Sequence, residues 1–202
     1  MVLQAKAESQ DRRRFVILDR DGTLIQERNY LSHPDEVELI SETVTGLLEL
    51  RRMGFGLVVI TNQSGVGRGY FKEDRLASIH RRLTDLLAVE GVRLDGIYHC
   101  PHKPEDHCRC RKPQPLLAQT AAAEFGFDPR DSFVIGDQAC DIDLGRNLEA
   151  KTILVRTGYG DRLAAERLIH PDFVANDLRD AARIIGQEMG ERDRSTFNAT
   201  LR

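Results

Sequence analysis

The chain has 202 residues, with 29 basic side chains against 32 acidic ones. That length fits one domain with a full hydrophobic core. Near balance of charge excludes the strongly basic face that nucleic acid requires, and no apolar run is long enough to span a bilayer.

Residues 1–12 are polar and patternless, and read as a disordered N-terminal extension. They lack the uninterrupted apolar centre of a secretion signal, so the expected compartment is the cytoplasm. There the four cysteines stay reduced or bind metal. Residues 13–188 read as a single domain, and 189–202 as a flexible tail. Apolar runs predict strands at 14–19, 56–61, 95–99, 132–136, 152–155 and 172–174. Between them helical patterns fall at 41–53, 72–90, 115–126, 140–149, 161–168 and 176–188. The runs at 57–60 and 133–135 are apolar throughout, as in strands covered on both faces. Such alternation predicts an α/β fold: a parallel sheet in three layers, with helices on both faces. Ligands bind such sheets at the carboxyl ends of the strands.

The chemistry-bearing residues fall at those ends. Residues 15–24 read Phe-Val-Ile-Leu-Asp-Arg-Asp-Gly-Thr-Leu, so the first strand delivers Asp19 and Asp21 to the sheet's mouth. Two carboxylates there repel one another unless a cation sits between them. Thr61 ends the second predicted strand and Asp137 follows the fourth, with Asp141 one helical turn later. Asp19, Asp21 and Asp137 are the oxygen donors expected for magnesium (Mg2+), Asp21 through either its side chain or its backbone carbonyl. A carboxylate can attack phosphorus and form an aspartyl-phosphate. Asp21 can then protonate the leaving alkoxide and later take a proton from water. Thr61 offers a hydroxyl to phosphate oxygens, and Lys112 a positive charge. Asp141 fits either a ligand or a supporting role.

Between residues 98 and 113, Cys100, Cys108 and Cys110 lie with His99, His102 and His107. Three thiolates and one imidazole suit a closed tetrahedral zinc (Zn2+) site, with no open position for catalysis. The alternative is a Cys108–Cys110 disulfide, strained at that spacing. The segment ends in Arg111, Lys112 and Pro113, so a metal knot there would aim two cations at the site. Cys140 lies outside it and reads as a small core residue.

Asp19-Arg20-Asp21-Gly22-Thr23, Thr61, Lys112 and Asp137 with Asp141 resemble, in order and spacing, the four motifs of the haloacid dehalogenase superfamily. The resemblance covers about residues 14–160. It implies a Rossmann-like sheet of strand order 5-4-1-2-3, Asp19 as nucleophile and Asp21 as general acid/base. Thr61 and Lys112 would steady the phosphoryl group. Neither interval after the first two strands holds a large cap domain, so the expected site is open.

The zinc loop is similar to the branch that contains D-glycero-D-manno-heptose-1,7-bisphosphate 7-phosphatases and histidinol-phosphate phosphatases. The family match favours His102 as the fourth zinc ligand. Residues 61–71, Thr-Asn-Gln-Ser-Gly-Val-Gly-Arg-Gly-Tyr-Phe, resemble the heptose enzymes, since the histidinol branch typically has Asn-Gln-Asp-Gly. The implied activity is hydrolysis of the C7 phosphate of heptose 1,7-bisphosphate, on the way to lipopolysaccharide or related glycans. Histidinol phosphate or another small phosphorylated metabolite is the alternative. The implied substrate contacts are Glu27, Arg28, Asn29 and Tyr30, then Thr61, Asn62, Gln63 and Ser64, and finally Arg111 with Lys112. Arg28 and Arg68 are candidate partners for the second phosphate, because guanidinium binds phosphate bidentately. Gln138 stands where some relatives carry lysine. The implied partner is a small phosphorylated sugar, with no nucleic acid or membrane, and the expected state is a monomer.

Overall fold

The computed structural model describes residues 13–200. Residues 1–12, expected to be a loose extension, lie outside the described residues. Six strands form one all-parallel sheet: β1 (Phe15–Leu18), β2 (Gly56–Asn62), β3 (Gly96–Cys100), β4 (Phe133–Gly136), β5 (Lys151–Val155) and β6 (Phe173–Ala175). Their order is β3-β2-β1-β4-β5-β6. Read from the other edge this is the expected 5-4-1-2-3, with a sixth strand beside the fifth.

Seven helices follow the strands: α1 (Thr43–Arg52), α2 (Ser64–Gly67), α3 (Glu73–Val89), α4 (Leu116–Phe125), α5 (Ala139–Asn147), α6 (Gly160–Glu166) and α7 (Leu178–Thr200). The two-residue period of β1 divides the core. Val16 and Leu18 face one cluster, with Leu47 and Leu50 of α1, Leu83 of α3 and Ile185 of α7. Phe15 and Ile17 face the other, with Ala118 and Ala121 of α4 and Leu144 of α5. The sheet is therefore covered on both sides, which explains the unbroken apolar runs. The small residues of α4 let that helix pack close, while Phe15 stacks on Phe127 at 4.3 Å between ring centroids.

Two departures from the sequence expectations concern helices. Single-turn α2 sits directly after β2, too short for a periodic pattern to show. The last helix runs to Thr200, past the expected end at 188. Among the described residues no helix is long and apolar enough to cross a membrane. The interval between β1 and β2 carries one 3-10 turn (Pro34–Glu36) and α1, and that between β2 and β3 only α2 and α3. Neither holds a cap domain.

Candidate active site and metal centres

The β1–β4 pairing sets the site. Leu18 pairs with Ile135, and the Asp19 N–H donates to the Ile135 carbonyl at 2.9 Å. Asp19 therefore leaves β1 beside Asp137, which leaves β4. Asp19, Asp137 and Asp141 are all buried, and one carboxylate oxygen from each lies within 4.8 Å of the others. Asp137 is wedged between the backbones of Gly22 and Gly158, both at positive φ (76° and 56°). A Cβ at either position would collide with its carboxylate, so only glycine fits. Asp137 Oδ2 accepts from the Tyr159 N–H at 2.9 Å, while Oδ1 is buried with no protein partner.

Lys112 supplies the one ammonium in this floor. Its Nζ lies 2.7 Å from Asp19 Oδ1 and 2.6 Å from Asp141 Oδ1. Burial works against its charge, but Asp141 and Asp19 more than compensate and hold its pKa above the usual lysine range. Asp141 Oδ2 accepts from the Gln138 N–H at 3.0 Å, capping α5. Three carboxylates thus share one lysine. Burial, then the neighbouring carboxylates, push Asp137 up to about 8, and burial raises Asp19 to about 7 despite Lys112. The surplus negative charge and the partnerless Asp137 oxygen fit a divalent cation with oxygen ligands.

Sequence reasoning left Asp21 to meet the ion through either its side chain or its backbone carbonyl. The Asp21 carboxylate lies outside the cluster of Asp19, Asp137 and Asp141. It is drawn away by Arg20 and by Gln63, whose Nε2 donates to Asp21 Oδ2 and Thr61 Oγ1, each at 2.8 Å. Asp141 takes its place in the cluster.

A cavity of about 560 Å³ opens above this floor. Asp19, Asp21, Glu27, Asn29, Tyr30 and the whole of 61–64 line it, with Arg111 and Lys112. Arg28 and Arg68 do not. Arg28 is held by Glu38 at 2.6 Å, and Arg68 lies 3.7 Å from Glu105 and over the Tyr30 ring. Asn62 borders the cavity, but its amide is engaged with the Lys112 backbone: Oδ1 accepts from the Lys112 N–H at 2.9 Å and Nδ2 donates to the Lys112 carbonyl at 3.2 Å. Asn62 therefore fixes the lysine. Cys140, expected in the core, is half-buried and lines the cavity, and burial pushes its thiol pKa up.

Sequence reasoning placed a helix at 161–168 but did not assign it, or the loop after β5, to the site. The Thr157 hydroxyl donates to the Gly22 carbonyl at 2.6 Å, and Tyr159 and Arg162 line the cavity. The available clue was the glycine-rich stretch Thr157-Gly158-Tyr159-Gly160 at the carboxyl end of a strand beside β4.

The second cluster lies on the loop after β3. The ligand atoms of Cys100, His102, Cys108 and Cys110 stand 3.1–3.6 Å apart along five of their mutual spacings. Edges near 3.8 Å are expected around zinc at a Zn–S distance of about 2.3 Å. The cysteines are free thiols, and Cys108 and Cys110 are not joined as a disulfide. His102 is the imidazole of the set, rather than His99 or His107, and His99 is engaged by Glu73 at 2.9 Å. The Arg111 Nη1 donates to the His102 carbonyl at 3.2 Å, tying the knot to the cavity wall.

A parallel sheet of this order, with an aspartate pair after β1 and acids following β4, is the arrangement that the resemblance to haloacid dehalogenase-like hydrolases implies. A profile of the HAD-hydrolase-like family matches residues 109–181. The D-glycero-beta-D-manno-heptose-1,7-bisphosphate 7-phosphatase of Pasteurella multocida is 40% identical over 180 residues, covering 86% of this chain and 97% of that one. Its Escherichia coli K12 counterpart is 36% identical over 182 residues, covering 86% and 94%. The crystal structure of D,D-heptose 1,7-bisphosphate phosphatase from B. bronchiseptica, complexed with magnesium and phosphate, superposes with a TM-score of 0.81 at 32% identity, covering 87% and 99%. The chain belongs to the D-glycero-beta-D-manno-heptose-1,7-bisphosphate 7-phosphatase family.

Proposed function

We propose that the protein is a magnesium-dependent phosphatase that removes the C7 phosphate of D-glycero-D-manno-heptose 1,7-bisphosphate and leaves heptose 1-phosphate. The observation that carries this reading is the buried floor of Asp19, Asp137, Asp141 and Lys112 beneath an open cavity. Asp19 and Asp137 would hold the cation, with the Asp21 backbone carbonyl, one of the two Asp21 donors offered by the sequence, as a further ligand; Asp141 braces Lys112. When bound, the ion supplies positive charge that offsets both the aspartates and the phosphoryl oxygens.

An Asp19 carboxylate oxygen attacks phosphorus as the bond from phosphorus to the C7 oxygen breaks, and Asp21 gives its proton to the departing alkoxide. Water then attacks the phosphorus of the aspartyl-phosphate, Asp21 takes a proton from it, and Asp19 is released with inorganic phosphate. Lys112 and the Thr61 hydroxyl support the transferring group. Arg111, which lines the cavity, would meet the second phosphate, with Glu27, Asn29, Tyr30 and Ser64 around the sugar. Zinc on Cys100, His102, Cys108 and Cys110 would fix the loop that presents Arg111 and Lys112. The enzyme would act on a small sugar phosphate as a cytoplasmic monomer.

Phosphate release should require magnesium and strongly favour heptose 1,7-bisphosphate over histidinol phosphate. Asp19→Asn should lower it by on the order of 10⁴-fold or more. Preference for histidinol phosphate would overturn the substrate; retained activity in Asp19→Asn would overturn the mechanism.

A further inference from the structure

Arg20, between the two aspartates, is among the most deeply buried large side chains of the molecule, at 1% exposure. A buried arginine is a costly choice for packing, since an apolar side chain of similar volume fills such a space as well. Its ion-pair partner among the described residues is Asp21. The guanidinium meets both carboxylate oxygens: Nε donates to Asp21 Oδ2 at 3.0 Å, and Nη2 donates to Oδ1 at 2.9 Å while lying 2.8 Å from Oδ2. Gln63 adds the third N–H, to Oδ2 at 2.8 Å. Burial first, and then Arg20, push the nearby His80 imidazole down to about 3.

The bond pattern is unequal. Oδ2 receives two N–H groups and Oδ1 one, so an acceptor site remains on Oδ1. We propose that Arg20 is a positioning residue that locks the Asp21 carboxylate so that proton transfer to the leaving group, and later from water, runs through Oδ1. The proposal rests on the reading of Asp21 as the proton shuttle. Without Arg20, Gln63 alone holds the carboxylate, by a single oxygen about which it can rotate. Misplacement of a transferring group by an ångström is enough to slow a reaction about 10²-fold.

Leaving-group dependence tests this without reference to how much protein is active. The value of kcat/KM reports steps up to release of the alcohol. A sugar alkoxide is a strong base and needs the proton from Asp21; p-nitrophenolate is a weak base and does not. The ratio of kcat/KM for heptose bisphosphate to that for p-nitrophenyl phosphate cancels any loss of folded enzyme. Arg20→Met should lower this ratio about 10- to 100-fold, with a burst of p-nitrophenolate ahead of slowed turnover. Arg20→Lys, which keeps the charge and loses the fork, should fall between Arg20→Met and the native enzyme. Asp21→Asn is the reference and should lower the ratio most. If Asp21→Asn lowers it and both Arg20 variants leave it within about twofold, the positioning role is overturned. If Asp21→Asn also leaves it unchanged, the reading of Asp21 falls, and the proposal with it.

Discussion

The carboxylate floor and the cysteine knot face the same physical problem from different supports. Each gathers groups that would repel one another once ionised. The floor is built where β1 and β4 end, and Lys112 already lies within 2.7 Å of two of its three carboxylates. The knot is built largely on an irregular loop, with Cys100 alone of its four residues buried. The lesson is that the floor is held together by the fold, whereas the knot's shape depends on what binds it. The two are joined in sequence, because the loop that carries Cys108 and Cys110 continues directly into Arg111 and Lys112.

The comparison breaks most visibly at Lys112. Lys112→Met leaves Asp19 and Asp141 buried without their ammonium. Turnover should fall about 10²- to 10³-fold with magnesium present, and magnesium-free protein should lose about 3 kcal/mol of stability in denaturant unfolding. Turnover within tenfold of native would show that Lys112 only balances charge. A smaller effect is expected at the knot. Complete zinc removal by chelation should lower turnover about tenfold, with far-UV circular dichroism and magnesium binding retained. Unchanged turnover would refute the positioning role, and global unfolding would show that the knot supports the whole sheet. The smallest effects belong to the cavity rim. Arg28→Ala removes an exposed ion pair with Glu38 and should change kcat/KM by less than about twofold. Arg111→Ala should raise KM for the bisphosphate about tenfold or more. A larger loss from Arg28 than from Arg111 would reverse that assignment.

Much of this was legible in the sequence because strand ends leave little freedom. Asp19 and Asp137 lie one position past β1 and β4, and neighbouring parallel strands force the two together. The three cysteines of the knot were equally legible, but spacing alone did not choose among His99, His102 and His107; the family resemblance favoured His102. Loop arginines were not legible. The stems of Arg28 and Arg68 rotate freely, and nearby glutamates claim them. Asn62 could be assigned to the site but not to its task of holding the Lys112 backbone, because that contact spans 50 residues. The Tyr159 contact to Asp137 uses a backbone N–H, which no residue type advertises. Arg20 carried no assignment from the sequence beyond its place in the motif, yet it is enclosed.

The central claim is that Asp19 becomes transiently esterified to phosphorus. Enzyme mixed with substrate and magnesium can be acid-quenched within a turnover, reduced with borohydride and mapped by mass spectrometry. The account predicts homoserine at position 19, present with substrate and magnesium together and absent when either is omitted. Reduction at another carboxylate, or none while phosphate is being released, would contradict it.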